Sequence, residues 1–372
     1  MSESRTVTKR SAELSVPLEV MDIALIADDL TGACDAAVQF KTRGVRSLVH
    51  FSPDGAEDAR VQAFTTETRD CTENEAETKI RELGARVSAA QPQLIFKKID
   101  SLLRGNPRIE IEAALKAFNC DVVLATPAFP GLGRIVWDGH LHVDGDARWK
   151  PVDVAAVMGS EHVKPECIAD ALRNGAHYVS TDATANSDLA LIVEEGLRSG
   201  RRVLWAGSAG LASALAEALF GAARRQSPRE PRALPMLFCI GSNHPVTALQ
   251  LLSLQERHAI CVSEPEGVAH SLRRGTHTLL RIRQEHGVYE SLRLGLRGVG
   301  NLAGALLLSG GDSASTVCHA LEVEQIELED EIVAGVPWGV LKGGLLDGMS
   351  VATKSGAFGG ENTLVEVAEF FA

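Results

Sequence analysis

The sequence has few of the features that mark secreted or membrane proteins. Its seven cysteines are widely spaced, odd in number and never form a CxxC pair, which indicates a reducing compartment. No apolar stretch approaches the roughly 20 residues that span a bilayer. Residues 1–20 lack the apolar run of a signal peptide, and we predict a flexible tail there. We therefore expect a soluble, cytoplasmic protein with no membrane partner.

Aromatic residues and clustered positive charge are also scarce. Only 5% of the 372 residues are aromatic, whereas 45% are hydrophobic and 23% are charged, which is typical of a soluble α/β protein. The net charge is −12, and the 37 basic residues form no long stripe, so we expect no nucleic-acid partner. Backbone amides and a few Lys or Arg residues can still bind an anionic small molecule.

Several well-known catalytic motifs are missing as well. No window satisfies the Walker A pattern GxxxxGK[ST], which disfavours a P-loop kinase. The sequence GVGNLA at 298–303 follows no clear strand, which disfavours a dehydrogenase, and Ser208 lacks the GxSxG context of a hydrolase. His140 and His142 have no third ligand nearby. We predict no protein-bound metal site.

Apolar strands alternate with amphipathic helices along the chain, which predicts α/β structure with mostly parallel sheets. The stretch 221–235 is rich in Arg, Pro and Ala without an apolar period, and we predict a linker there. The predicted organisation is a tail at 1–20, a first domain at 21–220, the linker, and a second domain at 236–372. We expect each domain to be a mostly parallel sheet flanked by helices.

Asp28 and Asp29 stand where the apolar strand Ile23 to Ala27 ends. Ligands of open parallel sheets bind outside the carboxyl ends of the strands, so this position favours a function. The alternative is that one aspartate caps the next helix and the other is simply exposed.

Charged residues also end a second predicted strand, in the sequence KKIDSLLRGN at 97–106. Lys98 and Asp100 are two residues apart, so in a strand they project from the same face. Lys98 would hold a carboxylate, Asp100 would accept a hydroxyl proton, and Ser101 would donate a further hydrogen bond. A purely structural Lys–Asp pair explains the spacing equally well. Arg69, after another strand, offers a fork for a carboxylate or phosphate, although most arginines are only solvated.

The second predicted domain has three glycine- and serine-rich loops between a strand and a helix. Such loops bring backbone amides close to phosphate oxygens at helix N-termini, so three of them predict a nucleotide site. Lys354 precedes the last loop and would face the phosphates or lie on the surface. The candidate residues are Ser242, Gly310, Gly311, Asp312, Ser313, Gly356 and Gly359.

Six motifs together resemble the four-carbon acid sugar kinases. They are IADDLTGACDAAVQF, TETR, KKIDSLLRGN, GSAGLASAL, LLSGGDSA and TKSGAFGGENTL, in family order from Ile23 to Leu364. The resemblance implies that the domain at 21–220 binds a sugar acid such as threonate or erythronate and that the domain at 236–372 binds ATP, with the active site in the cleft between them. The implied substrate contacts are Asp29, Arg69, Lys98, Ile99, Asp100 and Ser101. The implied ATP contacts are Ser242, the loop 310–313 and Gly356.

The predicted reaction is in-line transfer of the γ-phosphoryl group of Mg²⁺-bound ATP to a hydroxyl of the acid. Asp100 is the favoured proton acceptor and Asp29 the alternative. Two other functions stay open: a non-catalytic nucleotide- or metabolite-binding relative, and a kinase of another short hydroxy acid such as glycerate. Whether the chain forms homo-oligomers also stays open.

Overall fold

A computed structural model describes residues 21–53, 59–145, 149–224 and 234–372. The predicted tail at 1–20 lies outside the described residues, as does most of the predicted linker. None of the helices in these ranges is long and apolar enough to cross a membrane.

Residues 21–224 contribute eleven of the described strands and seven of the described α-helices. The strands are β1 (Ile23–Ala27), β2 (Ser47–His50), β3 (Val61–Thr65), β4 (Leu94–Lys98), β5 (Val122–Thr126), β6 (Arg134–Trp137), β7 (His140–Val143), β8 (Val152–Asp153), β9 (Glu161–Val163), β10 (Tyr178–Thr181) and β11 (Val203–Gly207). The helices are α1 (Leu30–Lys41), α2 (Glu73–Val87), α3 (Pro107–Ala117), α4 (Val154–Met158), α5 (Ile168–Arg173), α6 (Asn186–Arg198) and α7 (Ala209–Phe220).

Residues 234–372 contribute the remaining described strands and α-helices. The strands are β12 (Met236–Ile240), β13 (Ile260–Ser263), β14 (His277–Arg281), β15 (Ala305–Ser309), β16 (Gln325–Val333), β17 (Val336–Lys342) and β18 (Ser350–Lys354). The helices are α8 (Pro245–Arg257), α9 (Val268–Arg273), α10 (Val288–Gly295), α11 (Gly311–Ala320) and α12 (Thr363–Phe371). We call residues 21–224 the N-terminal half and residues 234–372 the C-terminal half.

One sheet of 15 strands runs through both halves, in the order β13-β14-β12-β15-β18-β17-β16-β2-β3-β1-β4-β11-β5-β10-β9. Its two flanks are parallel, as the alternating sequence pattern predicted. The hairpin of β16 and β17 lies between them and pairs antiparallel with β18 on one side and β2 on the other. The prediction of a mostly parallel α/β fold is thus confirmed. The prediction of a separate sheet in each domain is wrong, because the hairpin pairs with both flanks and joins them into one sheet. Strands β6, β7 and β8 form a small second sheet.

The central strands form because they are short apolar runs that can be covered on both faces. Every residue of β1, β3, β5, β12, β15 and β18 is buried. This continuous burial is typical of parallel strands with helices on both sides of the sheet. One hydrophobic core spans both halves, from Ile23 and Leu25 to Leu306 and Val351.

Helix α1 lies where the two halves meet. All its residues from Leu30 to Phe40 are buried. It contacts α7 in the N-terminal half, and α11, β16 and β17 in the C-terminal half. A helix that is enclosed all round belongs to the interior. Small residues in its sequence LTGACDAAVQFK let these elements approach closely.

An ion pair across the two halves has a predictable pH dependence. His319 on α11 lies 2.8 Å from the carboxylate of Glu67, in the loop after β3. The hydrogen bond to Glu67 raises the pKa of His319 above 6.5. The His319–Glu67 pair therefore contributes its full stabilisation below pH 6.5. This contribution is lost as the pH rises through the folded-state pKa of His319.

We expect His319→Gln to lower the free energy of unfolding at pH 6 by less than about 1 kcal/mol, because both side chains are partly exposed. The difference from wild type should vanish near pH 9. Urea unfolding at both pH values measures it, with His286→Gln, a change of an exposed loop residue, as control. An equal loss at both pH values would contradict the pairing.

Candidate active site

Polar residues from three neighbouring strands of the N-terminal half meet at one edge of the sheet. Strands β3, β1 and β4 are adjacent in that order, so their carboxyl ends lie side by side. Asp28 and Asp29 follow β1, Arg69 follows β3, and Lys98 ends β4. The sheet order therefore brings together residues that are far apart in sequence.

Arg69 binds three carboxylates at this edge. Its Nε and Nη2 donate to the two oxygens of Asp28, at 2.8 and 3.0 Å. Its Nη1 donates to Asp29, and Nη2 lies 3.6 Å from Asp100. Burial would lower the pKa of Arg69, but Asp29, Asp28 and Asp100 together raise it. The guanidinium is therefore a fixed charge that neutralises part of a buried acidic cluster.

Asp29 both caps a helix and faces the site. Its Oδ1 accepts the backbone N–H of Gly32 at 2.6 Å, and its Oδ2 accepts the hydroxyl of Thr31 at 3.0 Å. This is the N-cap of α1, which the sequence offered as the structural alternative. Asp28 is not exposed, as that alternative had supposed, but buried and paired with Arg69.

Asp100 is held by the arginine that follows it in the same loop. Its carboxylate accepts Nε and Nη2 of Arg104, at 2.9 and 2.6 Å, and the backbone N–H of Leu102 at 3.0 Å. Burial would raise the pKa of Asp100, but the hydrogen bonds of Arg104 and the charges of Arg69, Arg104 and Lys98 lower it well below the usual value. A carboxylate held in this way is a weak proton acceptor.

The other predicted residues of this segment lie in the same place. Lys98 is buried and donates from Nζ to the carbonyl of Ile99 at 2.8 Å. The backbone N–H of Ile99 donates to Gly207 and fixes the chain as it leaves β4. Ser101 is buried beside Asp100. Lys97 has a structural role, because its Nζ lies 2.6 Å from the buried Glu110.

The predicted nucleotide loops pack together at the matching edge of the C-terminal half. A Cβ atom on Gly356 would lie 2.1 Å from Oγ of Ser242, and one on Gly310 would lie 3.4 Å from the backbone N of Ser242. Gly310 has φ +99°, a conformation that favours glycine. It is the N-cap of α11 and has no side-chain capping bond.

This C-terminal cluster touches the N-terminal one. A Cβ atom on Gly311 would lie only 2.3 Å from Oδ2 of Asp29. Burial raises the pKa of Asp312, and the nearby Asp70 and Asp29 raise it further. Ser313 is buried against Gly241. The start of α11 therefore adjoins the carboxylates that follow β1.

Lys354 fixes the conformation of the loop 355–358, which follows β18. The prediction that it lies on the surface is wrong, because it is fully buried at the end of β18. Its Nζ donates to the carbonyls of Ser355, Gly356 and Phe358, at 2.8, 3.4 and 3.1 Å. Burial lowers its pKa to about 7. The lysine thus holds the loop 355–358 around its own ammonium group.

A small cavity lies beside the N-terminal cluster and is lined by both halves. Ser242, Gly356 and residues 310–313 are not among its lining residues. The N-terminal half lines it with Asp29, Thr31, Gly32, Asp35, Arg69, Lys98, Asp100 and Ser101. The C-terminal half adds Gly335, Ser355 and Phe358. Five predicted substrate residues are therefore in one cavity. The sequence analysis missed Asp35, which lies inside an apolar helix, and Arg104, whose pairing with Asp100 depends on the loop conformation.

A larger cleft of about 860 Å³ lies next to this cavity and is also lined by both halves. His244 and Pro245 at the start of α8 and Asn362 and Thr363 at the start of α12 line one part of it. Gly359 lines this cleft and not the small cavity. Two helix N-termini facing one cleft suit an anionic ligand.

Solved structures share this fold. A Salmonella typhimurium protein superposes with a TM-score of 0.72 at 19% identity, covering 94% of this chain and 99% of that one. A Haemophilus influenzae protein superposes with a TM-score of 0.68, also at 19% identity, covering 94% and 100%.

Family and sequence comparisons identify the group to which the chain belongs. A family model described as a sugar-binding N-terminal domain matches residues 23–161 and 146–215, and one described as a nucleotide-binding C-terminal domain matches residues 288–364. D-threonate kinase of Bordetella bronchiseptica is 30% identical over 401 residues, covering 93% of this chain and 96% of that protein. D-erythronate kinase of Heliobacterium modesticaldum is 24% identical over 418 residues, covering 91% and 94%. The chain belongs to the four-carbon acid sugar kinase family.

Proposed function

We propose that this kinase transfers the γ-phosphoryl group of ATP to a hydroxyl of a four-carbon sugar acid of the threonate and erythronate class. One observation carries the proposal: the start of α11, a predicted phosphate loop, touches the carboxylate of Asp29 in a cavity that also contains Arg69 and Lys98. Donor phosphates and a small hydroxy acid would thus meet at one place.

The sugar acid would bind at the small cavity, whose lining residues would have to move apart to admit it, because the cavity measures only about 10 Å³ in this structure. The ammonium of Lys98 and the guanidinium of Arg69 supply positive charge for its carboxylate, and Ser101 supplies a hydroxyl donor. Asp29 and Asp100 would accept hydrogen bonds from its hydroxyl groups. We assign Asp100 this binding role in place of the catalytic role that the sequence favoured, because Arg104 already occupies both its oxygens and its pKa is lowered.

ATP would bind at the glycine-rich edge of the C-terminal half. The contacts proposed for it are Ser242, the loop 310–313, Gly356 and Gly359. A Mg²⁺ ion that accompanies ATP usually takes one or two protein carboxylates, with phosphate oxygens and waters as its other ligands. The side chains of Asp312 and Asp70 are hydrogen-bonded neighbours, so these two carboxyls would be the ones to hold the ion. When bound, the ion would neutralise phosphate charge.

We also propose that the regions 21–220 and 236–372, connected through 221–235, act as the substrate and nucleotide domains with the active site between them. Both halves line the cavity and the larger cleft, which supports this organisation. Closure of the loops that line the cavity and the cleft around the ligands would exclude water, which competes with the sugar acid as phosphoryl acceptor.

The activity is tested by measuring ADP release from MgATP with a panel of D-threonate, D-erythronate, their 3-oxo derivatives and glycerate. We expect at least one four-carbon acid to give turnover well above that with glycerate. Preferred turnover of glycerate would assign a different acid. No turnover with any acid, together with tight ADP binding, would indicate a non-catalytic binding protein.

Replacing Arg69 tests the charge balance of the site. We expect Arg69→Ala to raise KM for the acid and to lower the free energy of unfolding by about 3–5 kcal/mol, because it leaves buried carboxylates without their cation. Arg104→Ala is the control, since Arg104 is half exposed and should cost less stability. Urea unfolding and steady-state kinetics measure both. An unchanged KM in Arg69→Ala would contradict its role in binding.

Gly311→Ala tests the contact between the halves. The new methyl group would overlap Oδ2 of Asp29, so the phosphate loop or the carboxylate must shift. A misplacement of about 1 Å can lower the rate about 100-fold, and we expect a loss of that order in kcat/KM. Gly300→Ala, where the nearest atom is 3.6 Å away, is the matched control. Equal activity of the two variants would show that the contact does not matter for transfer.

A further inference from the structure

Asp35 lines the small cavity together with Asp29 and Asp100, and it is the carboxyl group there that has no assigned task. Asp35 lies on α1, on the same face as Thr31 and Gly32, which also line the cavity. Only 4% of its surface is exposed. Its Oδ1 is buried and has no hydrogen-bond partner among the described residues. A buried acceptor without a partner is costly, so such an atom in a binding cavity points to a ligand that donates a hydrogen bond.

Charged groups face Asp35 from several elements. Lys98 of β4 and Arg134 of β6 favour its ionised form, whereas Glu331 of β16 and Asp29 at the start of α1 oppose it. Burial is the largest effect, and it raises the pKa of Asp35 to about 7. A carboxylate with such a pKa takes up a proton far more readily at neutral pH than an ordinary aspartate does.

The other three carboxylates of the site are already engaged. Both oxygens of Asp28 accept Arg69, and both oxygens of Asp100 accept Arg104. Asp29 accepts Thr31, Gly32 and Arg69. Protonating any of these would break an existing hydrogen bond or ion pair. Asp35 is the carboxyl group of this cavity with an unpartnered oxygen, within the part of the chain that the structure describes.

We propose that Asp35 is the catalytic base that accepts the proton of the phosphorylated hydroxyl, a role that rests on the kinase activity proposed above. The hydroxyl oxygen forms a bond to the γ-phosphorus of ATP while the bond from that phosphorus to the β–γ bridging oxygen breaks. ADP leaves with the electron pair of that bond, and the hydroxyl proton passes to Oδ1 of Asp35. After product release the proton returns to water.

The elements around Asp35 fit this role. The turn between β16 and β17 places Gly335 in the cavity wall, and the loop held by Lys354 contributes Ser355 and Phe358. A Cβ atom on Gly335 would lie 2.5 Å from Phe358, so the turn and the loop close tightly on each other. Water is thereby restricted near the base, which preserves its raised pKa.

The test is the pH dependence of kcat/KM for the best acid of the panel, between pH 5.5 and 8.5. For the wild type we expect activity to fall about tenfold per pH unit below a pKa near 7, because the base must be ionised. We expect Asp35→Asn to lower kcat by a factor of about 100 or more and to abolish this dependence. Asp35→Asn should melt no lower than wild type at pH 8, where the buried charge destabilises the fold.

Glu331→Gln supplies a control whose expected result would not follow if Asp35 had only a structural role. Glu331 raises the pKa of Asp35 and is not among the residues that line the cavity. Neutralising Glu331 should therefore move the acidic limb of the profile, the fall in kcat/KM at low pH, toward lower pH. Asp100→Asn should retain the acidic limb, because Asp100 is assigned a binding role.

Three results would overturn the proposal. A wild-type profile without an acidic limb would do so, independently of any variant. An Asp35→Asn enzyme that keeps both the wild-type kcat and the acidic limb would also overturn it. The kinase activity proposed above would then still stand. Absence of turnover by the wild type with every acid would overturn the kinase activity and the role of Asp35 together.

Discussion

The buried guanidinium of Arg69 holds the site together. It binds Asp28 through two hydrogen bonds, touches Asp29 and lies near Asp100, so one side chain links the segments that follow β1, β3 and β4. Carboxylates so close together would repel each other without a cation between them. Because Asp29 also caps α1 and touches Gly311, the same charge balance fixes where the predicted phosphate loop meets the substrate cavity.

The surroundings of this cluster depend in turn on how the halves are joined. The hairpin of β16 and β17 completes a single sheet, so α1 is enclosed by elements of both halves. The turn of that hairpin then reaches the cavity beside Asp35. The hairpin therefore does two things: it joins the two parallel flanks of the sheet, and it supplies one wall of the site.

Much of this arrangement follows from the sequence, and the parts that do not have identifiable physical reasons. The strand Ile23–Ala27 was predicted with the bounds that the structure has, because a short apolar run that ends in polar residues is a strong local signal. The pairing of β2 with β16 was not predicted, since it joins residues that are far apart in sequence and has no local signature.

The candidate site divides in the same way. Asp29, Arg69 and Lys98 were recognisable because polar residues at strand ends stand out against apolar neighbours. Asp35 was not, because a single aspartate in an apolar helix gives no sign of what it faces. Asp100 was recognised, but its clamp by Arg104 depends on a loop in which Leu103 has φ +59°, a conformation that periodicity does not reveal.

The central claim is that a sugar acid and the phosphates of ATP meet in the cavity between Asp29, Lys98 and Asp35. A crystal structure with D-threonate and a non-hydrolysable ATP analogue tests it most directly. The account predicts the acid carboxylate within hydrogen-bonding distance of Lys98 or Ser101, a hydroxyl at Oδ1 of Asp35, and the terminal phosphate at Gly311. Binding of the acid elsewhere, with none of these side chains in contact, would contradict it.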